Sequence, residues 1–273
     1  MKKNQLRVLN SLSLALLICM GFASGMGIFV DSTYQRELPS LAAQGVGQDI
    51  VNLFVGGPIL LVSLLLMNRG SRAASWIFAG VVFYYLYSYI IYTFGIHHNN
   101  LFLIYCATLA LSTYIFIFWA HFNAGLNIKN WFSKAPPVKG TALFLLAIAA
   151  MFYVIWLKDI VPPLLKGEAP AFVVENNYAP NPIHAIDLSF ALPGIIITCI
   201  LLFKDHKLGY LIAPIFLVFI VVLAIALIAM MVMVKARGLS DDASIAYIFS
   251  VLAVIGSLVL FLFLRRLKRN PEA

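Results

Sequence analysis

Eight stretches of this 273-residue chain are continuous apolar runs, near 9–30, 50–67, 73–95, 101–120, 140–157, 183–203, 208–234 and 244–264. A helix rises about 1.5 Å per residue, so roughly 20 apolar residues cover the ~30 Å hydrocarbon core of a bilayer. The runs are unbroken rather than alternating apolar and polar, which argues against the strands of a membrane barrel. The pattern predicts an all-α fold: a polytopic integral membrane helical bundle with eight transmembrane helices, one transmembrane domain over 1–273. Composition agrees. The chain is 62% hydrophobic and 11% charged, with mean hydropathy +0.95, whereas soluble domains are about half apolar and a quarter charged. The polar surface needed to cover a water-soluble globule of 30.2 kDa is not there.

Basic residues set the expected orientation, because Lys and Arg accumulate in cytoplasmic loops. With the N-terminus inside, segments 1–8, 68–72, 121–139, 204–207 and 265–273 are cytoplasmic and carry 14 of the 19 Lys and Arg. Both termini are therefore expected in the cytoplasm. The net charge of +8 has a topological origin on this reading, and no nucleic-acid partner is expected. One alternative concerns the start. Lys2, Lys3 and Arg7 before an apolar run, with Ala23 and Gly25 further on, have the form of a cleavable signal peptide. Cleavage would leave seven spans and an external N-terminus. Against it, the apolar run continues through Met26, Ile28 and Phe29 to Val30.

No soluble domain fits between the spans. The connection 158–182 is broken by Pro162, Pro163, Pro170, Pro180 and Pro182, and segment 31–48 is expected to lie along the membrane surface. Cys19, Cys106 and Cys199 fall inside apolar runs and read as small buried hydrophobes. Shifting the sequence on itself by 135 places Pro58 on Pro193, Asn52 on Asp187, Arg69 on Lys204 and Arg72 on Lys207. The two halves then form a 4+4 parallel internal repeat about an axis along the membrane normal. Gly56, Gly57 and Pro58 interrupt the second span, and Pro193 and Gly194 interrupt the sixth. Paired interruptions of this kind mark the hinges and binding sites of many transporters, although Gly and Pro also serve as plain kinks and packing notches.

Polar groups inside spans are costly and therefore informative. Gln48, Asp49 and Asn52 share one face at the start of the second span, and His184 and Asp187 are three apart at the start of the sixth. An unpaired Asp187 at mid-bilayer would cost about 2.5–3.5 kcal/mol, so a partner is required. His184 is the nearest candidate, with the tyrosines of the third span behind it. The third span holds Tyr84, Tyr85, Tyr87, Tyr89 and Tyr92, and Tyr85, Tyr89 and Tyr92 form one stripe. A buried phenol needs a hydrogen-bond partner, so the stripe is expected to face the bundle interior, either lining a cavity or tying helices together. Gln48, Asp49, Asn52, Tyr85, Tyr89, Tyr92, His184 and Asp187 together form the expected substrate-binding set. Ser240, Asp241 and Asp242 read as an N-cap for the eighth span.

The five histidines, His97, His98, His121, His184 and His206, have no spacing that specifies a metal; no metal site and no cofactor is assigned. A b-type haem between His184 and His97 or His98 stays open as an alternative. The stretch from Gln48-Asp49 through Pro58, then Arg69 to Arg72 and the tyrosine-rich third span, resembles a family of bacterial polytopic membrane proteins with no established activity. The likeness covers about the first 120 residues and the sixth span. It implies a multi-pass protein of the bacterial inner membrane and carries over no reaction. The expected function is a carrier or binding protein for a small solute, with an outward-facing polar cavity and Asp187 with His184 available for proton coupling. A membrane-embedded enzyme or haem protein, and a receptor-like or assembly subunit, are the alternatives. No catalytic constellation names a reaction, and nothing in the sequence sets the oligomeric state.

Overall fold

The computed structural model describes residues 3–176, 180–240, 242 and 244–268. Among these the chain is helical, with no strand beyond an isolated bridge between Phe132 and Leu267. Eight helices are long and apolar enough to cross a bilayer. They are α1 (Lys3–Phe29), α2 (Pro39–Asn68), α3 (Arg72–Gly95), α4 (Phe102–Ala124), α5 (Val138–Leu165), α6 (Pro182–Phe203), α7 (Lys207–Ala236) and α8 (Ser244–Leu264).

Two boundaries differ from those expected. α2 begins at Pro39 rather than near 50, so much of the supposed surface connection forms its first turns. Pro39 at the N-terminus has a φ already suited to a helix. α5 runs on to Leu165 through Pro162 and Pro163, which remove two helix hydrogen bonds only in the last turn, just before the helix ends. Apolarity marks the stretch that can sit in hydrocarbon; helix ends are set by backbone hydrogen bonding, which continues into polar sequence.

α3 and α7 form the centre. Each exposes a large apolar side chain only near one end, Phe94 and Val232, whereas the other six helices expose several. α2, α4 and α7 pack on α3; α2, α3, α6 and α8 pack on α7; α1 lies against α2 and α4, and α5 against α6. The central pair is close because Gly80 leaves room for Val218. Trp76 Nε1 also donates across it to Leu211 O at 3.0 Å.

The same turn occurs twice. Between α2 and α3, Arg69 N donates to Leu65 O, Gly70 N to Met67 O and Ser71 N to Leu66 O. Between α6 and α7, Lys204 N donates to Ile200 O, Asp205 N to Leu202 O and His206 N to Leu201 O. Each bond of the second set is the first shifted by 135 positions. Both turns close through a left-handed residue, Gly70 at φ 86° and Asp205 at φ 53°, the Schellman arrangement that satisfies the last carbonyls of a helix. Ser71 Oγ and His206 Nδ1 then cap α3 and α7 by accepting from Ala74 N and Leu208 N.

The expected interruptions of α2 and α6 take a milder form. Both helices are continuous, each with a π-helical segment, Asn52–Gly56 and Asp187–Ala191, again 135 apart. Gly57 N donates to Asn52 O and Leu192 N to Asp187 O. Pro58 and Pro193 follow directly. A proline ring crowds the carbonyl four residues back, and one wider turn relieves that crowding without ending the helix.

The two helix turns define a basic end of the bundle, with Arg69, Arg72, Lys204 and Lys207. The connection from α4 to α5 crosses this end. Trp131 and Phe132 pack on Trp76 with ring centres 5.2 and 6.0 Å apart, and Arg72 lies over the Trp131 ring at 5.3 Å. Lys129 pairs with Asp205, and Ser133 N and Lys268 N bond to Arg266 O and Trp131 O at 2.8 Å each. This connection thus straps both halves and the segment after α8 together. Lys2 and residues 269–273, which contribute to the basic count, lie outside the described residues.

Candidate functional site

A cavity of about 670 Å³ lies in the half of the bundle away from the basic end, within the size range of small-molecule sites. α5, α6, α7 and α8 supply most of its wall, and the starting turns of α2 and the final turns of α3 complete it. Most of the wall is Ile, Leu, Met and Phe. Its polar groups include Asp187 with its bonding partners Tyr87 and Trp156, and Gln48, Ser88 and Tyr92.

Asp187 is the first residue of the π segment of α6 and is buried. Tyr87 of α3 donates to its Oδ1 at 2.9 Å, and Trp156 Nε1 of α5 donates to its Oδ2 at 2.8 Å. The expected partner, His184, is not what holds it. The His184 ring sits against Trp156, 4.6 Å between centres, with Phe172 on another side. Spacing along one helix indicated His184; the donors come instead from two neighbouring helices, whose placement depends on packing.

A second carboxylate sits in a separate cluster. Asp49 is fully buried, with Tyr34 donating to Oδ2 at 2.5 Å and Tyr92 to Oδ1 at 3.0 Å. Gly27 of α1 faces this carboxylate, and a β-carbon there would fall on it. Tyr34 lies in the turn Asp31–Tyr34 between α1 and α2. Burial first, and the Asp49 charge next, push its hydroxyl well above the usual tyrosine value, so it serves as a donor. One turn deeper, Gln48 Nε2 donates to Tyr84 OH at 2.5 Å, and Tyr84 OH donates to Asn52 Oδ1 at 2.8 Å. Tyr85 OH donates to Asn52 O at 2.8 Å, the same carbonyl that accepts the π-turn bond from Gly57. Tyr89 stacks on Tyr92 with centres 5.2 Å apart.

The eight expected residues therefore divide. Gln48, Tyr92, His184 and Asp187 line the cavity; Asp49, Asn52, Tyr85 and Tyr89 lie behind its wall. The expected polar cavity is corrected to an apolar one with a polar patch. The physical reason is that Gln48, Asn52 and Tyr84, and Asp49 and Tyr92, bond to one another between α2 and α3 and need no open space. Tyr34, Tyr84, Tyr87 and Trp156 belong to the site and were outside the expected set. Tyr87 lies off the Tyr85–Tyr89–Tyr92 stripe, and a tryptophan near the end of an apolar run carries the same signal as an interfacial belt.

The histidines have other partners. His97 N and Nδ1 meet the Glu37 carboxylate at 2.7 and 3.1 Å, and Arg36 donates to His98 O at 2.7 Å. Among the described residues no group of three or more His, Cys, Asp or Glu is placed to hold a metal ion. Cys19, Cys106 and Cys199 are free thiols. Ahead of α8, Asp242 Oδ1 accepts from Ser244 N and Oγ at 2.8 and 2.6 Å, which holds its carboxyl below the usual range; Asp241 lies outside the described residues. Compared with protein-family models, curated proteins and solved structures, the chain finds no match.

Proposed function

We propose that this chain is an eight-span membrane protein that binds and carries a small ligand through the cavity at Asp187. The observation that carries the reading is the cavity itself: about 670 Å³, apolar, with a buried carboxylate gripped by Tyr87 and Trp156. A carboxylate kept away from water beside open volume is a functional group by default, since a hydrophobic residue would be cheaper there. Its place on a π turn before Pro193 supports motion of α6, because such turns are sites where a helix can reshape. Large apolar side chains exposed on all eight helices support insertion in a bilayer. The 14-to-5 distribution of Lys and Arg supports a cytoplasmic basic end.

A 4+4 parallel repeat belongs to the same reading. It is supported by the matching turns, the matching π segments, and a reciprocal pair of contacts. Gly47 meets the backbone of Met230 and Gly95 meets Pro182; 47 matches 182, and 95 matches 230. A two-fold axis along the bundle between α3 and α7 relates the two contacts. With the basic end strapped shut, the cavity belongs to the outward-facing side, and proton coupling would run through Asp187. The test is uptake by proteoliposomes of the purified chain across a solute panel, with and without a proton gradient. Asp187→Asn is expected to lower uptake of the transported solute about tenfold or more. Unchanged uptake in that variant for every transported solute would refute the reading.

A further inference from the structure

We propose that the cavity takes an amphiphile with a cationic head and an apolar tail, admitted sideways between α5 and α8. This rests on the binding and carriage reading above and names its ligand class. The head follows from charge. Among the described residues, Glu37, Asp159 and Asp187 line the cavity and no Lys or Arg does. That reverses the balance of a chain with net charge +8. The aromatic groups at Asp187, Tyr87 and Trp156, add ring faces that attract cations. An anionic head would be driven against carboxylates with no Lys or Arg on the wall among the described residues.

The tail follows from the rest of the lining. Ile148, Met151, Phe249 and Leu252 offer no hydrogen bonds, so a ligand polar throughout would lose its hydration without replacement. The two halves of the chain differ at this point. In the first half Tyr85, Tyr89 and Tyr92 fill the space beside α3. At the matching positions α7 has Ile220, Ala224 and Leu227, all of which line the cavity. Smaller or more flexible side chains leave open in the second half what the tyrosines fill in the first.

The entrance follows from exposure. Four lining residues are exposed, Ile155, Asp159, Ile245 and Ile248, and all four are on α5 or α8. The matching helices of the first half, α1 and α4, lie against each other. α5 and α8 approach at Phe144 and Gly256, nearer the basic end than the cavity, where a β-carbon on Gly256 would lie 3.6 Å from Phe144. The gap above that contact faces the side of the bundle and is rimmed by Ile155, Ile245 and Ile248, the lining a lipid-borne tail requires, with Asp159 beside them.

The experiment measures saturable binding of radiolabelled decyltrimethylammonium to the full chain in lipid nanodiscs. Unlabelled decyltrimethylammonium, decyl sulfate, decyl maltoside and tetramethylammonium compete. The cationic amphiphile is expected to displace the label about tenfold or more better than any of the other three, and Asp187→Asn to weaken its binding about tenfold. Ile248→Trp, which narrows the entrance, is expected to slow association. Equal displacement by decyl sulfate or tetramethylammonium overturns the ligand class, and that comparison needs no variant to fold. Asp187-dependent uptake of a hydrophilic solute without amphiphile binding would overturn it while leaving carriage intact. Cation-selective binding without any uptake would sustain it and remove carriage.

Discussion

Tyr34 and Tyr92 are the two phenols that hold the Asp49 carboxylate, at 2.5 and 3.0 Å, in a pocket closed by Gly27. Neither phenol is replaceable by water, because Asp49 is fully buried. Tyr34→Phe is expected to destabilise the protein by about 1–3 kcal/mol, the cost of leaving a buried acceptor short of a donor. Thermal unfolding in detergent measures it, and an unchanged midpoint would mean that Tyr34 does not hold the carboxylate. At this scale the sequence named the acceptors well. Asp49 and Asp187 both stood out as charges in apolar runs. It ranked the donors less well: His184 comes first for Asp187 and the third-span tyrosines second, whereas Tyr87 of that span and Trp156 do the bonding. A carboxylate declares its need through its own cost, while the identity of the donor depends on which helix lies alongside.

Helix continuity is the question at the scale of elements. Gly56-Gly57-Pro58 and Pro193-Gly194 were legible as irregularities, yet the sequence did not distinguish a break from a widened turn. Asp187 is the first residue of the π segment Asp187–Ala191, and the extra residue of that turn sets the rotation of every residue before it. Deleting Ser189, whose hydroxyl bonds only within its own helix to Ala185 O, would convert the wide turn to an ordinary one. Everything before it would then rotate by about 100°, carrying Asp187 off the cavity wall. Circular dichroism is expected to show unchanged helix content, with ligand binding lost. Retained binding would show that the π turn does not aim Asp187. The helix ends were also only partly legible, since α2 begins at Pro39 and α5 ends at Leu165. Hydropathy reports the apolar middle of a helix and is silent on polar turns that extend it.

Across the whole molecule, the strap from α4 to α5 joins the two halves at the basic end. Lys129 pairs with Asp205, and Tyr210 OH donates to the same carboxylate at 2.6 Å. The hydrogen bond from Lys129 first, then that from Tyr210, holds the Asp205 carboxyl below the usual range. A carboxyl depressed on folding adds stability above its unfolded value and loses it as pH falls through its folded one. Acidification below about pH 4 is therefore expected to lower the thermal midpoint more in the unsubstituted chain than in Lys129→Ala. The difference should shrink in high salt, because the pair is exposed. Equal acid sensitivity in both would show that the strap gains nothing from this pair. The likeness of the halves was faintly visible as four aligned residues. Its content, identical turn bonds and reciprocal Gly47–Met230 and Gly95–Pro182 contacts, exists only in the folded chain.

The sequence by itself determined that the chain is helical and apolar in eight lengths, that its positive charge gathers at one end, and that a few costly acids lie toward the other. These follow from properties each residue carries alone: transfer cost, charge and backbone preference. Only the tertiary structure decided that Asp49 is sealed among tyrosines while Asp187 faces a cavity, and that the cavity wall comes mostly from α5 to α8. Those outcomes depend on which side chains fill the space between helices. Tyrosines fill it beside α3, whereas isoleucine, alanine and leucine leave it open beside α7.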